Sequence, residues 1–302
     1  MKPLPDTTSA PVVRRALAAA FPDLSVKAPK LMNAGEEYVT WTAGTHVVKF
    51  PRSQEDADRL ERERSVLDLV SERLGALVPS MTALGSPTEE FPLSIGVYAR
   101  ARGRQGQQPD GPMLSPKPWA RKGLAKATGA ALSALHATSA AAARRAGVPK
   151  VKFELDPGFD VSQGALDWAT RVAGDAVDAF LIDPLPPEAR AKAATVLCHG
   201  DLKGEHLFVS EDSTRLTAII DWADARLCDP AVDLAGLVIW LGPSFVREVL
   251  MAYDGPANEG TYHRAVFQAR AALLSFLDVH LAGGTNASVA LLDAQLRAAF
   301  GT

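Results

Sequence analysis

Along the chain, apolar and polar positions alternate in two rhythms, one of period two and one of period 3.6. Ala10 to Phe21 reads as a short helix with Pro11 at its start and Pro22 ending it. Three short β-type runs follow: Val26 to Leu31, Tyr38 to Trp41 and His46 to Phe50. Asn33-Ala34-Gly35-Glu36 joins the first two and Ala43-Gly44-Thr45 the next pair, both with turn chemistry. From Ser53 to Leu74 the rhythm changes, and Leu60, Leu67, Val70 and Leu74 form one stripe at helical spacing. Ser53 is a good N-cap, with Glu55 and Asp56 in the first turn. Val78 to Leu84 and Leu93 to Ala99 return to the strand pattern, which makes five strands and one long helix.

The second part of the chain reads as mostly helical. Gly103 to Pro118 is rich in Gly, Gln and Pro and reads as a loop. Trp119 to Thr138 is a helix, the alanine run to Arg145 prolongs the helical character, and Gly147-Val148-Pro149 stops it. Lys150 to Asp160 is irregular; Ala165 to Leu181 and Pro187 to Thr195 are helices. A hairpin follows, with Leu207-Phe208-Val209 and Leu216 to Ile220 as strands and Ser210 to Ser213 as the turn. Asp229 and Pro230 open another helix, and Ser244 to Tyr253, Tyr262 to Leu281 and Ser288 to Phe300 are further helices.

Composition narrows the class. A chain of 302 residues suffices for one large or two medium domains, and 47% hydrophobic residues argue against disorder. The net charge of -3 gives no reason to expect a nucleic-acid partner. Cys198 and Cys228, the two cysteines, read as free buried thiols of a reducing compartment, and no Cys/His run has metal-ligand spacing. No apolar run has the length of a membrane span, and MKPLPDTTSAPVV has no signal-peptide core, so a cytoplasmic protein away from membranes is expected.

Candidate chemistry gathers in VLCHGDLKGEHLFVSEDSTRLTAIIDWADARLCDP, residues 196–230. An acid flanks the outer end of each hairpin strand, so Asp201 and Asp221 can share one rim. Two carboxylates repel unless something positive lies between them, an arrangement that suits a divalent metal and a reacting hydroxyl. In the first part of the chain, Lys49 is flanked by Val48 and Phe50, and Glu63 falls on the apolar stripe between Leu60 and Leu67. A carboxylate pointing into an apolar face needs a partner, and Lys49 is the natural one. Glu61, the other candidate, lies about 160° round the helix and reads as solvated. His136 reads as a structural core histidine, and the absence of G-x-S-x-G disfavours a hydrolase.

H-G-D-x-x-x-x-H followed by I-D-W resembles the catalytic core of the aminoglycoside and macrolide phosphotransferase family, small relatives of the eukaryotic protein kinases. The resemblance implies an α+β, bilobal, protein-kinase-like fold. Its N-terminal nucleotide-binding lobe, residues 1–100, would be small and five-stranded; its α-rich C-terminal lobe, residues 101–302, would hold the catalytic and acceptor sites. It makes Asp201 the hydroxyl-orienting base and Asp221 a Mg²⁺ ligand. His206 becomes a second metal ligand, where many members carry Asn. His199 braces the catalytic loop, with Asp229 and Asp233 bracing it from outside. Lys49, set by Glu63, would hold the nucleotide phosphates; the turn at Gly35 would cover them with backbone amides. Backbone groups near Tyr98 and Arg100 would bond the purine.

The implied activity is transfer from ATP or GTP, with Mg²⁺, to a hydroxyl of a small molecule. The acceptor it suggests is a cationic antibiotic, an aminoglycoside or a basic peptide, whose phosphorylation confers resistance. Asp254, Glu259 and Asp278 are candidate acids for such a cation. A macrolide, which needs a large apolar pocket, and a metabolic kinase are alternatives. A pseudokinase is a further one, against which Lys49, Asp201 and Asp221 together argue. Asp221 to Asp229 is too short for an activation loop, which disfavours a protein kinase, and a monomer is expected.

Overall fold

The computed structural model describes residues 4–24, 28–108, 113–152, 161–190, 192–285 and 287–302. The chain divides into two compact units, Met1–Ala101 and Arg102–Thr302.

A five-stranded antiparallel sheet in the order β1-β2-β3-β5-β4 forms the first unit. Its strands are β1 Lys30–Ala34, β2 Tyr38–Ala43, β3 His46–Pro51, β4 Met81–Gly85 and β5 Ile95–Ala99. Gly44, with φ 63°, makes the two-residue turn between Ala43 and His46. Val39, Trp41, Val48, Phe50, Ile95 and Val97 bury one core against Val13 and Leu17 of helix α1, Ala10–Ala20. Helix α2, Gln54–Leu74, begins where the Ser53 hydroxyl accepts the Asp56 amide, and its buried stripe is Leu60, Glu63, Leu67, Val70 and Leu74.

The first strand lies further along than the apolar pattern indicates: it covers Lys30–Ala34, taking in Asn33 and Ala34 from the expected turn. All five of its residues are exposed and a bulge interrupts its pairing, so no buried face imposes an alternation. The remainder of the expected Val26–Leu31 run includes residues 25–27, which lie outside the described residues.

Helices dominate the second unit: α3 Pro118–His136, α4 Ala140–Arg145, α5 Gln163–Ala173, α6 Asp175–Ile182, α7 Ala231–Leu250, α8 Glu259–Leu281 and α9 Val289–Phe300. Two small sheets accompany them, β10-β7 and β6-β8-β9, with β6 Arg104–Gln105, β7 Val196–Cys198, β8 Leu207–Val209, β9 Leu216–Ile219 and β10 Arg226–Cys228. The hairpin of β8 and β9 pairs Leu207 with Ile219 and Phe208 with Ala218. β6 lies in the stretch expected to be loop; strands of two or three residues are too short to display a period.

Glycine, proline and a serine cap redraw the expected helices at four places. The expected Ala165–Leu181 helix is divided at Gly174, whose φ of 56° turns the chain. Ser139 caps α4 as a separate helix, its hydroxyl accepting the Ala142 amide. Among the described residues of the expected Pro187–Thr195 helix there is only a 3-10 turn, Pro187–Arg190, where Pro184, Pro186 and Pro187 withhold amide donors; residue 191 lies outside the described residues. The helices expected from Pro230 and from Ser244 are continuous apart from a break at Gly242, with φ 84° and ψ 170°, before Pro243. Residues 109–112 and 153–160 of the expected irregular stretches lie outside the described residues. No helix among the described residues is long and apolar enough to cross a membrane.

Candidate active site

The polar loop 199–206 leaves β7 and enters β8, and Ile220-Asp221-Trp222 leaves β9 at the same end of the hairpin. His206 stands between the two expected acids. Its Nδ1 is 2.7 Å from the Asp201 carbonyl oxygen. A carbonyl can only accept, so Nδ1 donates here. Nε2 has Asp221 Oδ2 at 3.5 Å and Glu205 Oε1 at 3.9 Å, while Asp201 Oδ2 lies 3.5 Å from Nδ1. The Asp201 and Asp221 side chains are 35% and 39% exposed, so both can meet a ligand from solution. Asp221 has φ 66°, a left-handed conformation that costs a non-glycine residue about 1–3 kcal/mol. The Trp222 indole, donating to the Ile219 carbonyl at 2.9 Å, helps hold that turn.

An imidazole and two carboxylates in this neighbourhood are the kinds of ligand that a divalent cation takes. Lys203 already supplies positive charge there: its Nζ is 3.2 Å from Asp201 Oδ2 and 2.6 Å from Glu205 Oε1. Burial favours neutral lysine, but Asp201 and Glu205 outweigh it and raise the lysine pKa, so the ammonium stays charged. Neither Lys203 nor Glu205 stands out in the sequence, where charges in a loop read as solvated.

Buried groups hold this loop from behind. His199 is fully buried, donating Nε2–H to the Ile220 carbonyl at 2.9 Å and accepting the Asp201 amide at Nδ1, 3.2 Å away. One ring thereby ties the Asp201 segment to the Asp221 segment. Burial, with the nearby His206, lowers the His199 pKa and keeps the ring neutral. His199 does not open onto the acids' exposed side, so its place is that of a brace. Asp233 of α7 accepts the His199 amide at 3.0 Å, the Gly200 amide at 2.9 Å and His136 Nε2 at 3.1 Å. Burial works against that carboxylate, yet the His136 hydrogen bond and charge prevail and its pKa is lowered. Gly200 is required: φ is 89°, and a Cβ would lie 2.2 Å from the Asp224 carbonyl oxygen. Asp229 receives the buried Arg264 guanidinium and caps the Ala231 amide at 3.0 Å.

No Cys/His grouping is expected from spacing along the chain, yet the fold assembles one. His136, Cys198 and Asp233, far apart in sequence, bring buried ligand atoms within 4.8 Å of one another. Their own contacts account for them: Asp233 is filled as described, His136 Nδ1 meets the Tyr253 hydroxyl at 2.7 Å, and burial raises the Cys198 pKa, keeping the thiol protonated. Cys198 and Cys228 are both free and buried.

In the first unit, Lys49 Nζ lies 3.6 Å from Glu63 Oε2, with the side chains 13% and 1% exposed. The Tyr98 hydroxyl donates to the same Oε2 at 2.6 Å, and the ammonium sits 5.3 and 5.2 Å from the Tyr38 and Tyr98 ring centroids. Glu61 is exposed and accepts the Ser94 hydroxyl at 3.1 Å, so it has a partner of its own. The Tyr98 side chain reaches Glu63, and its backbone lies in β5, between β3 and β4. The Arg100 amide likewise donates to the Thr45 carbonyl at 2.9 Å. Gly35 needs no glycine: a Cβ would meet the Tyr38 carbonyl oxygen at 3.4 Å and Asn33 Nδ2 at 3.6 Å, both ordinary contacts, while Arg52 Nε donates to the Gly35 carbonyl at 2.6 Å.

Two of the acids expected to receive a cationic acceptor are already engaged. Arg247 grips Glu259 with two bonds of 2.6 Å, and Asp278 accepts the Ser162 amide at 3.1 Å as well as its hydroxyl. A cavity of about 590 Å³ opens among Met113, Leu114, Trp240, Leu241, Leu291 and Ala294. No residue of the 199–206 loop lines it.

Residues 37–266 match the phosphotransferase enzyme family (APH). Viomycin phosphotransferase from Streptomyces vinaceus is 30% identical over 239 residues, 73% of this chain and 76% of that protein. Among solved structures, the GDP and kanamycin complex of APH(2")-IIia superposes with a TM-score of 0.68 at 21% identity, covering 95% of this chain and 96% of that one. A macrolide 2'-phosphotransferase from Brachybacterium faecium has a TM-score of 0.63 at 21% identity, covering 95% and 97%. At such identities the structural likeness establishes the fold, that of kinase-like phosphotransferases.

Proposed function

The chain belongs to the phosphotransferase enzyme family, a small-molecule kinase by that membership, and from it we propose transfer of a γ-phosphoryl group from ATP or GTP to a hydroxyl of a cationic antibiotic. The observation that supports it most is His206 held between Asp201 and Asp221. In this reading Asp201 orients the acceptor hydroxyl and takes its proton as the new P–O bond forms and the bond to the nucleoside diphosphate breaks. His206 Nε2 and Asp221 would hold Mg²⁺, which when bound offsets charge on the nucleotide phosphates. Lys203 adds a fixed positive charge beside Asp201. Lys49, oriented by Glu63 and Tyr98, would bind the α and β phosphates. The segment from Gly35 to Tyr38 would lie over them, and the chain around Arg100 would contact the purine. Positioning and charge account for catalysis here, with no covalent enzyme intermediate.

For the acceptor, an aminoglycoside or a basic peptide antibiotic, the likeness to viomycin phosphotransferase supports the peptide. The protein would then act in the cytoplasm as a monomeric resistance enzyme. Nucleotide turnover and product mass, measured over viomycin, kanamycin, streptomycin and a macrolide, test the proposal. A product carrying one added phosphoryl group is expected with viomycin. Nucleotide binding without a phosphorylated product from any of the four would overturn the antibiotic acceptor.

A further inference from the structure

Helix α7 runs beside the 199–206 loop, and successive residues of one of its faces meet successive segments of that loop. Asp233 takes the amides of His199 and Gly200. One turn on, Gly236 meets Leu202 and Lys203: a Cβ there would lie 2.0 Å from the Leu202 carbonyl oxygen, 2.6 Å from its carbon and 3.1 Å from the Lys203 nitrogen. One turn further, Trp240 meets Gly204, where a Cβ would lie 2.9 Å from indole Cδ1 and Cγ. The same indole packs on Gly106, where a Cβ would lie 2.5 Å from Cζ2. Steps of three and four residues keep all three positions on one side of a helix with 3.6 residues per turn.

These contacts differ in kind from ordinary core packing. A Cβ that overlaps a backbone carbonyl cannot be relieved by a rotamer change, so Gly236 fixes how closely the loop backbone can approach the helix. Between Asp201 and His206 the loop has two short-range backbone bonds, Lys203 amide to Asp201 carbonyl at 3.0 Å and His206 amide to Lys203 carbonyl at 2.9 Å. Gln105 Nε2 also donates to the Glu205 carbonyl at 2.6 Å, and His206 Nδ1 to the Asp201 carbonyl, so the Leu202–Gly204 backbone between these ties is the part that the helix must place. Trp240, 1% exposed, closes off movement of Gly204 toward the helix.

We propose that Gly236 and Trp240 are positioning residues. The Leu202–Gly204 backbone rests on them, and this sets where Lys203, Glu205 and His206 stand relative to Asp201. The proposal concerns loop geometry and takes its catalytic consequence from the phosphoryl-transfer reading. A readout independent of substrate therefore comes first: the NMR resonance of the His206 Nδ1–H, which is bonded to the Asp201 carbonyl.

Gly236→Ala is expected to shift or broaden that resonance and to lower kcat ~10-fold or more with the nucleotide KM nearly unchanged, because small displacements of reacting groups are costly. Val238→Ala removes buried volume on the opposite side of the same helix and serves as the structural control. It should lower Tm while leaving the resonance and kcat in place. A Cβ at Gly204 also comes 3.0 Å from Gln107 Cβ, so Gly204→Ala should perturb the resonance, and Trp240→Leu added to it should move the resonance back toward its wild-type position by freeing the indole's side. This pair also decides the matter if Gly236→Ala does not fold. The proposal is overturned by a wild-type resonance in Gly236→Ala, by an equal disturbance in Val238→Ala, or by no recovery in the Gly204→Ala/Trp240→Leu double variant. An unperturbed loop in an enzyme that phosphorylates nothing would count against the functional reading alone.

Discussion

The two units handle charge in opposite ways. In the first, Lys49 and Glu63 are almost dry, and the pair is completed by a tyrosine hydroxyl and two aromatic faces. In the second, Asp201 and Asp221 keep more than a third of their side-chain surface open, and the fixing groups lie in the layer beneath: His199, Asp233 and Arg264. The difference follows from what each charge must wait for. A buried carboxylate has to be satisfied at once, since its desolvation is otherwise uncompensated. A carboxylate that is to receive a cation and a hydroxyl must stay open, so its rigidity has to come through the backbone, here from amides held by Asp233 and a carbonyl held by His199.

The sharpest test of that contrast is Asp201→Asn. The side chain keeps its shape and loses its charge and proton affinity, while the His199 and Asp233 contacts to the backbone remain. Transfer should fall about 10²–10⁴-fold, the range for loss of a general base. Nucleotide affinity, measured by calorimetry, should change little. Full turnover in this variant would remove Asp201 from the chemistry.

A smaller effect is expected in the dry pair. Tyr98→Phe removes one donor from a carboxylate that is 1% exposed. The loss should be about 1–3 kcal/mol of stability, the range for depriving a buried polar group of a partner, read from urea unfolding. Nucleotide KM should rise as well, because Glu63 is then less firmly set against Lys49. Unchanged stability would show that the two units do not differ in the way described.

What could be read from the sequence divides along the same line. Glu63 was legible because the 3.6-residue period places it between Leu60 and Leu67 on a buried stripe. Tyr98 was not: four of the five residues of β5 are buried, so no alternation shows which way its side chain points. Asp201, His206 and Asp221 were legible through H-G-D and I-D-W, and their roles came from the family resemblance rather than from periodicity. Lys203 and Glu205 escaped notice because a charged loop residue looks the same whether it is solvated or paired. The five strands and the α-rich remainder were legible, whereas β1 was displaced because it is an exposed edge strand. The Asp233 contacts join residues more than thirty positions apart, a pairing that no local pattern encodes.

The smallest expected effect is on the pH dependence of stability, and it concerns the brace alone. The folded pKa of His199 lies below its ordinary value of 6.5 because the ring is buried. In the unfolded chain the ring titrates near that ordinary value, so below about pH 6.5 the unfolded chain binds a proton that the folded one refuses. The contribution of this ring is therefore fully present above pH 6.5 and declines as the pH is lowered through and below it. Asp233, whose folded pKa is also lowered, adds its own loss only further down, below its ordinary value of 3.8. Urea midpoints at pH 7.5, 6.5 and 5.5 should fall for the wild type, and the fall should be shallower in His199→Asn, which has no titrating ring at that position. The other histidines are common to both proteins, so the difference between the slopes reports the His199 ring together with its interaction with His206. Equal slopes in the two would mean that the neutral His199 ring is not what holds the Asp201 and Asp221 segments together, and the account of an open site stiffened from beneath would lose its central part.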